Sequence, residues 1–158
     1  MKIRFLCTAV LILGQVTTAT AQTAVKHFPA SSAGLPAGAV SPTGKPAFSR
    51  AVMAGDTLYV SGTTDIDPAT GKPPTDVKAG AKLVLDNIKS TVEGAGLTMN
   101  DLVWVQVFAT DLANYAAFNE VYRSYFTGPL PARAFIGAGS LLAGSHFEVM
   151  GIAIKPKK

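Results

Sequence analysis

The sequence is poor in the side chains on which much enzyme chemistry depends. Among its residues are one cysteine, two histidines and one tryptophan, and only 15% are charged. The cysteine is Cys7, so everything after it lacks both disulfides and thiol chemistry. His27 and His146 lie far apart with no further cysteine to join them, which argues against a zinc site built from protein ligands. Gly137-Ala138-Gly139 is not continued into a dinucleotide-binding GxGxxG, and GSLLAGSH (139–146) has phosphate-loop glycine spacing without the lysine. No GxSxG elbow is present, and no spacing joins a serine and an acid to His146 as an acyl-transfer triad. Low charge is not accompanied by low hydrophobicity: 48% of the residues are hydrophobic, which excludes a disordered chain and suits one domain with one core.

What is present begins with a targeting pattern. Lys2 and Arg4 precede the apolar run FLCTAVLILGQV, and Ala19 and Ala21 occupy small-x-small positions before a cut expected between Ala21 and Gln22. A membrane anchor needs ~20 apolar residues, more than this run supplies. Cys7 sits too early in it to be a lipidated cysteine, and a core helix is the competing reading. Residues 1–21 are therefore expected to be a signal peptide, with the chain periplasmic or secreted and free of membrane after cleavage. Cleavage removes two basic residues and no acid, lowering the net charge from +4 to +2. Lys155, Lys157 and Lys158 sit in the tail, so the body is near neutral and no nucleic-acid partner is expected.

Residues 22–46, rich in Ala, Ser, Gly and Pro, read as a flexible leader, and residues 47–158 as a single domain. FSRAVMAGDTLYVSG predicts a hairpin turning at Gly55-Asp56. After Asp76, Val77, Ala81, Val84, Ile88 and Val92 recur at helical spacing until Gly94 or Gly96. DLVWVQVFAT is a strand apolar on both parities, as for a strand covered on both faces. Tyr115, Phe118, Tyr122 and Tyr125 mark a second helix that ends before Gly128-Pro129, and ARAFIGAG and HFEVMGIAI are the last two strands. The order ββ-α-β-α-ββ predicts an α+β domain with two helices on one face of a mixed sheet.

Two charges interrupt the last two strands. Arg133 shares a strand face with Phe135 and Gly137, and Glu148 shares one with His146, Met150 and Ile152. An arginine in such a run needs a partner. Either Arg133 and Glu148 form an internal ion pair, or Arg133 holds the carboxylate of a ligand.

KPAFSRAV, GDTLYVSG, DPATGK, NIKSTVEGAG, VQVFATDLANYAAFNEVYRSYF, LPARA and FEVMGIAI lie in the order and near the spacing of the reactive intermediate deaminase (RidA/YjgF, endoribonuclease L-PSP-like) family, which the chain resembles from about Ser41 to Ile154. The resemblance implies a chorismate-mutase-like fold, a homotrimer with active sites between subunits, and no cofactor or metal. It also implies hydrolytic deamination of enamines and 2-imino acids to 2-keto acids and ammonia. By resemblance Arg133 binds the substrate carboxylate and Glu148 holds or activates water, while Ser61, Gly62 and Asn119 line the pocket. A bidentate guanidinium grip suits that carboxylate, and a nearby carboxylate suits proton transfer.

The chain departs from the family pattern at Phe48 and Arg50, where tyrosine and glutamine are common, at Thr63, often glutamine, and at Phe135, often smaller. Phe48 and Phe135 imply a larger or more apolar substrate. A trimer of the same fold that binds small carboxylates without catalysis is the alternative function. A nuclease or chaperone-like role is the third reading, and the near-neutral body opposes its nucleic-acid form.

Overall fold

The computed structural model describes residues 23–31, 41 and 44–157; the expected signal peptide and much of the expected leader lie outside the described residues. Six strands are formed by Val25–Pro29 (β1), Ser49–Ala54 (β2), Thr57–Thr64 (β3), Leu102–Ala109 (β4), Ala132–Gly137 (β5) and Phe147–Ile154 (β6). Two α-helices span Val77–Gly94 (α1) and Tyr115–Arg123 (α2). The sheet order is β1-β2-β3-β6-β4-β5, so the last strand of the chain inserts between the third and fourth. β5 runs parallel to β4, joined to it through α2 as a parallel pair requires, and the other neighbours are antiparallel. This is the expected α+β fold with a mixed sheet.

Local chemistry explains the elements. Gly55 takes the left-handed backbone (φ 61) of the β2–β3 turn. The Asp76 side chain accepts from the Lys78 and Ala79 amides, both at 3.2 Å, and so caps the first turn of α1. Ala81, Val84, Leu85, Ile88 and Val92 then put a buried stripe on the sheet. Gly96 (φ 81) closes the helix, within the two glycines expected to end it. Val105, Val107 and Ala109 of β4 and Phe147, Val149 and Ala153 of β6 meet Phe118 and Tyr122 of α2 in the same core.

Three expectations need correction. The segment read as a leader contributes β1, a five-residue edge strand too short to show a period; Phe28 packs on the core from it. The domain therefore includes residues before Ala47. Tyr125 lies beyond α2, because the Tyr125 and Phe126 amides bond three residues back and tighten the chain out of the helix. Its hydroxyl bonds Asp86 at 2.7 Å instead. Finally, within one chain β4 is covered on one face only. Trp104, Gln106 and Phe108 are half-exposed and Val103 is 47% exposed, alongside half-exposed Met150 and Ile152 and exposed Tyr59 on the adjoining strands. This open face, opposite the helices, is mostly apolar.

Candidate functional site

Strand order decides which candidate residues meet. On β4, Val105 pairs with Arg133 of β5, and Phe108 pairs with Glu148 of β6. Positions 105 and 108 have opposite parity, so Arg133 sits on the helix-covered face and Glu148 on the open face. The internal ion pair is therefore a correction: β4 stands between the two strands, and among the described residues neither side chain belongs to a salt bridge.

Within the chain the partner of Arg133 is an amide rather than an acid. Its Nη2 donates to Asn119 Oδ1 at 2.6 Å, from α2 across to β5. The guanidinium carbon lies 4.5 Å from the Tyr122 ring centre, 5.6 Å from that of Phe135 and 5.7 Å from that of Tyr115. Such rings hold a cation by their quadrupoles. Nη1 is buried without a hydrogen-bond partner. Burial pushes the Tyr122 phenol up to about 12, partly opposed by the Arg133 charge. Arg133, Asn119 and Phe135 thus form one group, with the rings of Tyr115, Phe118 and Tyr122 around it.

The second group is on the open face. Glu148 is half-buried opposite Thr64, and burial raises its carboxyl above the usual carboxylate range. A bulge between Val60 and Thr63 takes Ser61 and Gly62 out of the β3–β6 register. The Gly62 backbone packs directly on Glu148: a side chain there would collide with Oε1 and put its Cβ 3.1 Å from the carboxyl carbon. Ser61 Oγ donates to the Ser49 carbonyl at 2.7 Å, holding β3 to the start of β2. Phe48 adjoins Ser49 and is 41% exposed, Arg50 is exposed, and Thr63 pairs with Val149.

Sequence reasoning missed an anchor beside this group. Asp65, with no exposed surface, accepts from the backbone amides of His146 (2.9 Å) and Phe147 (3.3 Å) and pairs with His146 Nδ1 at 2.9 Å. It joins the end of β3 to the start of β6, one residue from Glu148. Gly80 permits the approach of α1, since a Cβ there would lie 2.5 Å from Asp65 Oδ2. His146 was weighed for a zinc site and for a serine triad, not as the partner of an acid; the available hint was Asp65, directly following β3.

A groove of about 430 Å³ between α1 and the end of α2 contains none of these residues. Its charges are already paired: Lys82 bonds Asp86 at 2.6 Å, Asp86 accepts the Tyr125 hydroxyl, and Lys89 pairs with Glu93 at 3.8 Å. Among the described residues no group of three or more His, Cys, Asp or Glu side chains is gathered as metal ligands, and no helix is long and apolar enough to cross a membrane.

The family model described as Endoribonuclease L-PSP matches residues 38–155. A 2-iminobutanoate/2-iminopropanoate deaminase of Mus musculus is 36% identical over 109 residues, covering 68% of this chain and 81% of that protein. The crystal structure of RidA from an Antarctic Psychrobacter superposes with a TM-score of 0.69 at 33% identity, covering 82% of this chain and 98% of its own. TdcF of E. coli, crystallised with bound serine, gives a TM-score of 0.70 at 31% identity, covering 83% of this chain and 100% of its own.

Proposed function

The chain belongs to the Endoribonuclease L-PSP (RidA/YjgF) family, and from that membership we propose that it hydrolyses 2-imino acids to 2-keto acids and ammonia at a site shared by two copies in a trimer. The observation that carries the reading is the separation of the two groups. An unpartnered guanidinium donor and an unpaired, partly desolvated carboxylate occur in one chain but on opposite faces of its sheet. A second copy docked on the apolar open face can bring its own Arg133 to the first copy's Glu148. Burying that face also accounts for its composition.

Each group then has a task. Arg133, held by Asn119, grips the substrate carboxylate and fixes the imine carbon. Glu148, with Gly62 packed against it, takes a proton from water as the water oxygen bonds to that carbon and the C=N electron pair moves onto nitrogen, and returns that proton to the nitrogen. The carboxylate then takes the carbinolamine hydroxyl proton and passes it to the amine, so that the C=O bond forms as the C–N bond breaks and ammonia leaves. Burial raises the Glu148 carboxyl, which makes its carboxylate a stronger base than an exposed one. No metal or organic cofactor takes part in this scheme. Export with cleavage after Ala21 belongs to the same reading, and it places the substrate outside the cytoplasm.

The test is to generate 2-iminobutanoate in situ with an amino-acid dehydratase and follow 2-oxobutanoate release with and without the mature protein. Release faster than spontaneous hydrolysis is expected. Release at the spontaneous rate, with 2-oxobutanoate still bound, would leave a carboxylate-binding protein.

A further inference from the structure

Tyr115 begins α2 and entered the sequence reading only as a marker of that helix. The structure places it beside the guanidinium. A turn of 3₁₀ helix over Leu112–Asn114, capped by Asp111 through the Ala113 amide at 2.8 Å, sets the start of α2. The Tyr115 ring meets Phe135 edge-on, with centres 5.0 Å apart, and lies 5.7 Å from the Arg133 guanidinium carbon. Asn119 follows it by four residues, so both side chains share one helix face. The Asn119 carbonyl oxygen is engaged by Arg133, which leaves the Asn119 amide hydrogens for the phenol oxygen.

The Tyr115 ring thus lies beside the guanidinium, one helical turn from Asn119. Hydrogen bonding by Asn119 and the charge of Arg133 both hold the Tyr115 hydroxyl below its ordinary pKa. A phenol oxygen that accepts from its neighbours still carries one hydrogen to donate. Tyr115 is 49% exposed, so that hydrogen is available to a molecule arriving from outside. Phe48, which precedes β2, has no hydroxyl to offer.

We propose that the Tyr115 hydroxyl is a second hydrogen-bond donor to the carboxylate that Arg133 grips, a substrate-binding contact that rests on the reading of Arg133 above. The arrangement puts a neutral donor next to a charged one, and the Phe135 and Tyr115 rings give the ligand an apolar wall beside its charged end.

The experiment is calorimetric titration of the mature protein with 2-oxobutanoate and with its neutral amide, 2-oxobutanamide. Tyr115→Phe keeps the ring and its contact with Phe135 and removes only the hydroxyl. It is expected to weaken 2-oxobutanoate binding roughly 10-fold, the size of a hydrogen bond to a charged group, and to leave the amide's affinity and the melting temperature unchanged. Affinity within twofold of wild type in Tyr115→Phe, alongside loss of binding in Arg133→Ala, would overturn the role of Tyr115 alone. Equal losses for acid and amide would overturn it too, by assigning the hydroxyl to packing. Undiminished binding by Arg133→Ala would instead sink the reading on which the proposal rests.

Discussion

Arg133 and Glu148 point away from each other across one sheet, with β4 between the strands that carry them. Neither can neutralise the other within a chain.

Complementation tests that arrangement. Arg133→Ala and Glu148→Gln should each be inactive alone. Unfolded together and refolded as mixed trimers, they should recover roughly a quarter of wild-type keto-acid release, because one interface in four would carry both intact residues. Mixed trimers seen by native mass spectrometry but without activity would mean that the site is not shared.

Glu148 also links activity to pH. As a general base its loss in Glu148→Gln should lower turnover by about 10²–10⁴ with keto-acid binding kept. Burial raises the folded-state pKa above the unfolded one. The protonated form therefore favours the fold: that contribution is complete below the unfolded value, about pH 4, and is lost as pH rises through the folded value. Glu148→Gln should accordingly melt higher than wild type at pH 7 and together with it below about pH 4. The reverse ordering in a thermal scan would show that Glu148 is stabilised as an anion.

Gly62→Ala tests the contact behind Glu148. The added methyl takes the place of the Glu148 carboxylate end, which, at the far end of a flexible and half-buried side chain, moves aside with little loss of stability. A displaced base should lower turnover by roughly 10²-fold with little change in 2-oxobutanoate affinity. Normal steady-state kinetics would mean that Glu148 moves without consequence.

Asp65→Ala leaves the His146 and Phe147 amides buried without an acceptor. The expected loss is about 2–5 kcal/mol in denaturant unfolding, from two unmet donors. Gly80→Ala should reproduce part of that loss by pressing on the same carboxylate. A change under about 0.5 kcal/mol in both would remove the anchor role from Asp65.

Much of the architecture was readable because it is local and periodic. The helical recurrence from Val77 to Val92, the Gly55 turn and the alternating burial of β6 each follow from neighbours in sequence. Sheet order is not local. The last two strands are consecutive in the chain, so Arg133 and Glu148 looked adjacent, yet β6 enters between β3 and β4 and leaves β5 at the edge. β1 escaped notice for a related reason: backbone pairing with β2 holds its five residues, and their own pattern says little. At the site, the family resemblance supplied Asn119 as a lining residue, but its bond to Arg133 depends on how α2 lies over β5. Asp65 and His146, 81 residues apart, could be joined only by the fold.

The strand at the start of the domain has a further consequence, for how copies of this chain can associate. An unpaired strand edge is a template on which another sheet can grow. Here the outer edge is β1, only five residues long, with Lys26 within it and Pro29 at its end. The opposite edge, β5, has six residues and follows directly on Pro131. Short edges interrupted by proline and charge are poor seeds for strand addition. The protein is thus guarded against fibrous, edge-to-edge growth, and the surface it leaves for self-association is a face, which can close on a fixed number of copies.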